Sequence, residues 1–315
     1  MHIAFVGGTR FIGHASARAA LERGHRVSVL HRGVHPSRLA SVDDVLVDRH
    51  DPSALTEAVA RLAPDVVVDT RAMTRADAEV FALVLSVAGC RGVVLSSQDV
   101  YAQFGRLNGL PAPEPEAVVR EDSPLTVPFP FRDFGEHEGG PDYDKKDVET
   151  VLRLACEEKQ ACVTSLRLPG VYGWDDPKRR FAFVVDRLDA GELALPRVGG
   201  GTFRLTHAHV RDVAHAVVLA AEQAHTGYRV FNVGEAVTPT MSERAEALAR
   251  QMNVELRWVE SQPPLPAGLE LLGVMPNDFV ADSDALRREL GFSEITTAAE
   301  READVVAWLR HSREA

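Results

Sequence analysis

A glycine-rich segment near the N-terminus has the residue types and the spacing to bind a phosphate. The segment GGTRFIG (7–13) follows an apolar run at 3–6 that is typical of a short buried strand. Between a strand and a helix, Gly7 permits a tight turn and Gly13 permits close packing of the helix on the sheet. The N-terminus of that helix offers free N–H groups and the positive end of its dipole to a pyrophosphate. We therefore predict a dinucleotide-binding loop here, with a purely structural turn as the alternative.

Two arginines indicate which dinucleotide this loop would bind. Arg10 stands in the middle of the loop, where a small residue is usual, and a guanidinium there can pair with a phosphate in bidentate fashion. The predicted second strand leads into Arg32 without the Asp or Glu that normally holds a ribose 2′-hydroxyl. Arg32 suits a 2′-phosphate instead. The sequence therefore predicts NADP(H) as the preferred cofactor and NAD(H) as the second choice, while two solvated surface arginines are the alternative.

The elements that would position this loop alternate between strand and helix. We predict strands at 2–6, 26–30, 44–47, 65–68, 91–96 and 163–168, and helices at 11–23, 52–62, 75–88 and 145–158. Such alternation, with continuous Val-rich strands, predicts an α/β fold: a doubly wound parallel sheet of the Rossmann type, covered by helices on both faces. Beyond Tyr172 the order is irregular, with helices predicted at 181–188, 213–223, 242–252 and 298–310 and short strands near 204–206 and 230–233.

A proline-rich stretch at 101–142 interrupts this alternation. It carries seven prolines and little hydrophobic periodicity. A connection of this length inside a compact domain is usually a functional lid or a disordered flap. We therefore expect it to border the site.

Composition excludes several classes of function. Acidic residues outnumber basic ones by 46 to 35, and the net charge of −11 argues against a general binder of nucleic acid or of membrane surfaces. No stretch approaches the roughly 20 apolar residues of a membrane helix, and no signal-peptide pattern is seen. Three cysteines without paired metal spacing indicate reduced thiols and a cytoplasmic location. His207 and His209 lack a carboxylate or cysteine cluster at ligand spacing, so we expect no metal site.

Several segments together resemble a known family. They are the GGTRFIG loop, LSSQDVYA at 95–102, LRLPGVYGW at 166–174 and RLTHAHVRDVAHAV at 204–217. On these segments the chain resembles the extended, atypical short-chain dehydrogenases/reductases, also called the NAD-dependent epimerase/dehydratase family. Some members share the GGTRFIG form, so Arg10 is compatible with a working loop. The resemblance implies a dinucleotide-binding Rossmann domain at 1–170, rejoined by 204–235, and a smaller C-terminal α/β substrate domain formed mainly by 171–203 and 236–315.

The resemblance also implies catalytic residues. Ser97 matches the family's catalytic Ser/Thr, whose hydroxyl donates to a substrate carbonyl or alkoxide. The family's base is a tyrosine four residues before a lysine that contacts the nicotinamide ribose and lowers the tyrosine pKa. In PDYDKKDVE (141–149) this spacing is not met, because Asp147 stands four residues after Tyr143.

Helix geometry helps to choose among the residues of this segment. Lys145 lies about 70° from the centre of the apolar stripe of its helix and Lys146 lies roughly opposite. Lys145 is therefore nearer the sheet and is predicted as the cofactor lysine. Tyr143 reaches the same site only if it precedes the regular helix, and it is then the predicted acid/base. Tyr101, His207, His209 or an acid in the lid are the other sources of the proton, and the sequence does not rank them.

The remaining cofactor contacts come from the resemblance. Asp48 matches an aspartate that accepts from the adenine amino group, with a loop or capping role as the alternative. Pro169, Gly170 and Val171 match a segment that passes the nicotinamide. The predicted cofactor-binding residues are Gly7, Thr9, Arg10, Phe11, Ile12, Gly13, Arg32, Asp48, Lys145, Pro169 and Val171.

These features lead to two hypotheses of function. The first is an NADP(H)-dependent oxidoreductase or epimerase/dehydratase that transfers a hydride to or from a secondary alcohol or carbonyl of a small molecule, with a nucleotide sugar as one candidate. The second is a nucleotide-binding protein that no longer turns over and serves as a redox-sensing or RNA-associated module. The net charge argues against RNA. Homodimers are common among relatives, so the resemblance allows a homodimer, although the sequence itself does not indicate the assembly.

Overall fold

A parallel sheet of seven strands lies at the centre of the computed structural model, which describes residues 1–127, 140–159 and 161–314. In chain order the strands are β1 (His2–Val6), β2 (Arg26–His31), β3 (Asp43–Leu46), β4 (Val66–Asp69), β5 (Arg91–Ser97), β6 (Val163–Leu168), β7 (Gly170–Tyr172), β8 (Ala194–Arg197), β9 (His207–His209), β10 (Tyr228–Asn232) and β11 (Arg257–Glu260). The helices are α1 (Phe11–Glu22), α2 (Pro52–Leu62), α3 (Arg75–Ala88), α4 (Ala102–Leu107), α5 (Lys145–Glu157), α6 (Ala182–Asp189), α7 (Val210–Glu222), α8 (Met241–Gln251), α9 (Asp284–Leu290) and α10 (Ala298–Glu314).

The strand order explains where a ligand would bind. The order β10-β6-β5-β4-β1-β2-β3 places β1 beside both β2 and β4, so the direction of winding reverses at β1. All neighbouring strands of this sheet run parallel. In such sheets, ligands bind outside the carboxyl ends of the strands at the reversal point. The phosphate loop begins at the carboxyl end of β1.

Helices cover both faces of the sheet because the central strands are apolar on both sides. On one face α1 and α7 pack together, and small residues such as Ala17 and Ala216 allow close approach. On the other face α2, α3 and α5 bury Leu55, Phe81 and Leu152. The predicted doubly wound α/β sheet is confirmed.

A smaller C-terminal layer carries its own apolar cluster. The parallel pair β8 and β11 packs with α6, α8 and α10 around Leu195, Met241 and Leu309. The second short pair, β7 with β9, lies where the chain leaves the main sheet. The predicted smaller α/β part is confirmed, and the exact domain boundaries stay a prediction.

The stretch at 101–127 is more ordered than its sequence suggests. It contains α4, a bridge between Tyr101 and Leu125, and a bridge between Val119 and Ala281. Its apolar side chains reach Phe279, so long-range packing replaces the missing periodicity. The rest of the predicted lid, 128–139, lies outside the described residues. The strand predicted near 204–206 is also displaced, because the pairing with β7 occurs at His207–His209.

No helix within the described ranges is both long and apolar enough to cross a membrane.

Candidate active site

The phosphate loop is shaped by two glycines at positions where a Cβ atom would clash with its neighbours. Gly7 has a φ of +89°, and a Cβ there would lie 2.5 Å from Arg71 Cγ. A Cβ on Gly13 would lie 2.3 Å from the carbonyl oxygen of Gly7, so α1 packs directly on the loop. This close cradle exposes the first N–H groups of α1 at the end of β1. It fits the pyrophosphate of a dinucleotide.

Arg10 is compatible with the loop because its backbone is ordinary. It has φ −140° and ψ 154°, an extended conformation that any residue adopts. The left-handed backbone conformations of the loop fall on Gly7, with φ 89°, and on Phe11, with φ 41°. The Arg10 side chain is exposed, and its Nη1 lies 3.4 Å from Nε2 of His35. Arg10 therefore leaves the cradle intact and adds a cation at its rim.

A carboxylate already occupies the positive end of α1. The Phe11 N–H donates to Oδ2 of Asp175 over 3.4 Å, and Arg38 pairs with the same oxygen. Asp175 is not among the predicted site residues, and its position 164 residues after Phe11 gives no local signal. Its presence here shows that this helix end attracts an anion.

Arg32 lies in the cleft beyond the end of β2. It is exposed, it lines the cleft, and within the described ranges it has no hydrogen-bond or ion-pair partner. The preceding His31 is buried, with Nε2 3.1 Å from Oδ1 of Asp44. The end of β2 thus presents a free guanidinium to the cleft.

Asp48 is placed differently from the other predicted cofactor residues. Its side chain is half exposed, and Oδ1 accepts from the His50 N–H over 3.0 Å. It is not among the residues that line the cleft, although its neighbours Val47 and Arg49 are. Asp51, rather than Asp48, caps α2 by accepting from the Ala54 N–H. The adenine contact of Asp48 stays a prediction.

The structure brings Ser97, Tyr143 and Lys145 together at the carboxyl end of β5. The Tyr143 hydroxyl donates to Oδ2 of Asp99 over 2.8 Å. The Ser97 hydroxyl lies close enough to both groups to lower the pKa of each. Lys145 Nζ donates to the carbonyl oxygens of Ala72 (2.6 Å) and Leu95 (2.7 Å). Asp99 is the member of this cluster that the sequence analysis did not identify.

The start of α5 sets these positions. Asp144 is the N-cap residue, and its side chain accepts from the N–H groups of Lys146 and Asp147. Tyr143 therefore precedes the regular helix. Lys145 is buried in the first turn, whereas the partly exposed Lys146 donates to the Val127 carbonyl over 3.2 Å.

Burial dominates the electrostatics of the cluster. It raises the pKa of Asp99 to about 6, and Tyr143 and Ser97 oppose this through hydrogen bonds. Burial and then Asp99 raise the pKa of Tyr143 well above its usual value. Burial lowers the pKa of Lys145 to about 8, with the charge of Asp99 opposing. The phenol is thus held neutral.

The other proposed proton sources differ in access. The buried Tyr101 donates to Asn232 Oδ1 and accepts from Arg167 Nη1, both over 2.8 Å, and it does not line the cleft. His209 Nε2 lies 3.0 Å from Asp304, and His209 does not line the cleft either. His207 lines the cleft, but burial lowers its pKa well below the usual value. Only His207 of these three has access to a ligand.

One cleft of about 1470 Å³ connects these parts. Its walls include the loop residues Gly7, Thr9, Arg10, Phe11, Ile12 and Gly13, the catalytic candidates Ser97, Tyr143 and Lys145, and the segment Pro169, Gly170 and Val171. The walls also include three aromatic side chains, Phe104, Phe181 and Phe279. In the part of the chain that the structure covers, no group of three or more His, Cys, Asp or Glu side chains is arranged to hold a metal.

Solved structures share this fold. A UDP-glucose-4-epimerase from Stenotrophomonas maltophila, with bound NAD and formylated UDP-arabinopyranose, matches with a TM-score of 0.76 and 19% identity over 100% of both chains. MoeE5 in complex with UDP-glucuronic acid and NAD matches with a TM-score of 0.72 and 20% identity over 99% of this chain and 100% of that chain. A dTDP-glucose 4,6-dehydratase from Bacillus anthracis in complex with NAD has a TM-score of 0.72 and 15% identity, over 100% and 98%. At these identities the likeness establishes the fold.

Sequence comparison identifies the family. No curated protein matches the chain significantly. The family model for the NAD dependent epimerase/dehydratase family matches residues 3–111 and 141–234, which is more than half of the chain and includes the loop and the catalytic candidates Ser97, Tyr143 and Lys145. The protein is therefore an enzyme that belongs to the NAD dependent epimerase/dehydratase family.

Proposed function

We propose that the protein is an NADP(H)-dependent oxidoreductase or epimerase/dehydratase that acts on a secondary alcohol or its carbonyl in a small molecule. The observation that carries this proposal is the convergence of Ser97, Tyr143 and Lys145 in the cleft that begins at the phosphate loop. When bound, the nicotinamide supplies hydride chemistry. Because all three side chains of the cluster are in place, we favour an active enzyme over a nucleotide-binding module that does not catalyse a reaction.

The cluster divides the remaining tasks among its side chains. The Ser97 hydroxyl donates to the substrate oxygen and orients it. Tyr143 exchanges a proton with that oxygen, because it is the phenol nearest to Ser97 in the cleft. Two N–H groups of the Lys145 ammonium are held by backbone carbonyls. Its third N–H remains for a cofactor ribose hydroxyl.

Support for NADP(H) comes from the free guanidinium of Arg32. Arg10 and Arg32 both line the cleft, and the end of β2 contributes no carboxylate to it. A guanidinium in this position favours a 2′-phosphate over a 2′-hydroxyl. NAD(H), the cofactor in the solved neighbours, is the second candidate.

A nucleotide sugar is the leading candidate substrate. MoeE5 and the Stenotrophomonas epimerase were solved with UDP-sugars. A cleft of about 1470 Å³ exceeds the roughly 300–1,000 Å³ of an ordinary ligand pocket, so it has room for a dinucleotide and a second ligand. A homodimer and a cytoplasmic location stay predictions, and light scattering during gel filtration tests the former.

The test combines cofactor binding with turnover. NADPH and NADH are titrated by fluorescence, and UDP-glucose, UDP-glucuronic acid, dTDP-glucose and simple ketones are then screened. Absorbance at 340 nm detects net reduction or oxidation, and mass spectrometry with chromatography detects redox-neutral products. We expect Ser97→Ala to lose about 10²-fold or more in turnover while its NADPH Kd stays within about twofold.

The matched control is Ser53→Ala, an exposed serine on α2 outside the cleft, which should behave as wild type. Absence of binding to either cofactor would refute the proposal. Full turnover in Ser97→Ala would refute the assigned site.

A further inference from the structure

Asp99 is an unusual residue to find in contact with Tyr143, the proposed catalytic tyrosine. It lies in the single turn Gln98–Val100 that follows β5, and its side chain is almost completely buried. Oδ2 accepts from the Tyr143 hydroxyl over 2.8 Å, whereas Oδ1 is buried and has no hydrogen-bond partner among residues 1–127, 140–159 and 161–314. Half of the carboxylate is therefore left unsatisfied next to the cleft.

A structural role alone does not account for this arrangement. Burying a carboxylate costs free energy unless both oxygens are well paired. A neutral Asn or Ser would accept the Tyr143 hydrogen bond at a lower cost. The group that the fold retains at position 99 is one that can hold either a negative charge or a proton.

The charged groups around Asp99 come from two sides. Lys145 and Asp144, at the start of α5, face the carboxylate from the side of Tyr143. Lys145 is itself influenced by Asp69, Arg49 and Arg71 across the sheet edge. With Asp99 in direct contact, an anionic Tyr143 would sit beside a second anion. The Tyr143 phenol is therefore unsuited to stay deprotonated as a phenolate base. Elsewhere in the family, a lysine four residues after the tyrosine supports that role.

We propose that Asp99 is the terminal proton acceptor of the site and acts through Tyr143, an inference that rests on the proposed function. When an alcohol is oxidised, the Tyr143 Oη–H bond breaks and its proton forms a new bond to Asp99 Oδ2. The substrate O–H bond breaks at the same time, and its proton restores the Oη–H bond. The electron pair stays on the substrate oxygen and forms the carbonyl, and an oxidised nicotinamide, when bound, would supply the acceptor for the hydride.

Charge balances without a phenolate in this scheme. Asp99 goes from carboxylate to carboxylic acid, and Tyr143 is a neutral phenol before and after. In the direction of reduction, Asp99 returns its proton by the same route. The pH that controls the reaction is then set by Asp99, whose pKa burial raises to about 6, and not by the phenol. Oxidation should weaken as the pH falls through about 6, because Asp99 is then already protonated.

A spectroscopic titration tests the coupling without a substrate. Tyrosinate formation is followed at 295 nm in wild type, Asp99→Asn and the double variant Asp99→Asn with Tyr143→Phe. The chain has four tyrosines, and burial raises the pKa of each. Removing the neighbouring negative charge should lower the Tyr143 midpoint by about one to two pH units. We expect one tyrosine of Asp99→Asn to ionise at a lower pH than in wild type, and this difference to be lost in the double variant; identical curves for wild type and Asp99→Asn would overturn the proposal.

A second measurement follows the protonation of Asp99 in the wild-type protein itself, so the main titration does not require a variant that folds. The side-chain carboxyl carbons of aspartate are labelled with ¹³C, and the Asp99 signal is assigned by its loss in Asp99→Asn. We expect a midpoint near 6 that rises in Tyr143→Phe, because the phenol stabilises the carboxylate. Tyr228→Phe, distant from the cluster, should leave it unchanged. A midpoint near the ordinary value, or one insensitive to Tyr143→Phe, would contradict a shared proton.

Turnover separates failure of this inference from failure of the proposed function. With any substrate found in the screen, Asp99→Asn should lose about 10²-fold in kcat and lose the acidic limb near pH 6, while NADPH binding is retained. If wild type binds no cofactor and converts no substrate, the proposed function fails. If wild type is active and Asp99→Asn keeps both its rate and its acidic limb, only the role of Asp99 fails.

Discussion

The two arginines at the adenosine end of the cleft differ in how free they are to bind a ligand. Arg10 Nη1 already lies 3.4 Å from a ring nitrogen of His35. Arg32 has no partner in the described ranges, so none of its N–H groups has to be released from another contact before it binds an anion. Of the two, Arg32 is therefore expected to contribute more to the choice between a 2′-phosphate and a 2′-hydroxyl.

Replacing Arg32 should change the cofactor preference. A charge-assisted hydrogen bond contributes about 1.5–3 kcal/mol. We expect Arg32→Ala to raise the NADPH Kd roughly 10- to 100-fold and to leave the NADH Kd nearly unchanged, as measured by calorimetry at constant ionic strength. Arg26→Ala is the control, because Arg26 is exposed at the start of β2, the strand that leads to Arg32, and pairs with Asp43 outside the cleft. Equal losses for the two cofactors would contradict this role.

For individual residues, the sequence predicts best where hydrophobic periodicity indicates which side of a helix is buried. The apolar stripe of α5 distinguishes Lys145 from Lys146, and the structure buries the former. Asp99 and Asp175 give no comparable signal. Asp99 becomes notable only when Tyr143, distant in sequence, lies against it, and Asp175 only when its loop reaches α1. Such long-range contacts between side chains leave no local pattern.

The junction between β1 and α1 depends on how closely the helix approaches the loop. A Cβ on Gly13 would stand 2.3 Å from the Gly7 carbonyl, so the loop has to shift to accept any side chain. Because the cradle and the helix N-terminus are one unit, such a shift moves the N–H groups that would hold a pyrophosphate.

Gly13→Ala should therefore impair binding as well as folding. We expect a loss of about 1–3 kcal/mol in the free energy of unfolding and at least a tenfold rise in the NADPH Kd. Gly24→Ala, at the end of α1, is the control: its φ of +82° makes alanine cost about 1–2 kcal/mol, but its surroundings are open. Denaturation and fluorescence titrations are compared for both variants. If Gly24→Ala weakens NADPH binding as much, the effect is general destabilisation.

Regular elements follow from the sequence when local signals agree. The predicted bounds of β1, α2, α3 and β6 match the structure, because apolar periods, caps and flanking glycines or prolines coincide there. By contrast, β7, β8 and β11 are three or four residues long and exist through their pairing partners. Strands of that length carry too few residues to show a period.

Across the whole molecule, a buried polar network joins the sheet to α5. Glu149 accepts from Ser96 (2.5 Å) and from Arg167 (2.7 Å). Arg167 continues to Tyr101, and Tyr101 to Asn232 on β10. The network thus connects β5, β6, β10 and α5 next to the candidate catalytic residues. Each member depends on the others because all of these side chains are buried, and a buried polar group that loses its partner is costly.

Breaking this network should cost much more than breaking a surface pair on the same helix. Glu149→Gln leaves the Arg167 charge buried without its counter-ion, and we expect a loss of about 3 kcal/mol or more in the free energy of unfolding. Glu157→Gln removes the exposed pair with Arg153 and should cost about 0.5 kcal/mol or less. Guanidinium denaturation measures both. Similar losses of unfolding free energy in the two variants would mean that the buried pair of Glu149 and Arg167 does not stabilise the fold more than a surface pair does.

The stability of the whole protein should also report the ionisation of Asp99. Its folded pKa of about 6 lies above the ordinary 3.8, so the folded state binds more protons between these values and stability falls as the pH rises through this window. Asp99→Asn removes this penalty. Relative to wild type, we expect it to gain up to about 3 kcal/mol between pH 4 and pH 7.5, measured by denaturation at both pH values. A difference that stays constant with pH would show that Asp99 ionises normally.

The position of β10 at the edge of the sheet has a consequence for synthesis. This strand covers β6, but it is translated roughly 60 residues later. At a translation rate of 5–20 residues per second, β10 follows β6 after on the order of 3–12 s. During this interval one edge of β6 has no partner strand. An open strand edge can pair with other chains, so this interval is when the protein most needs a chaperone and when crowded polysomes are most prone to mispairing.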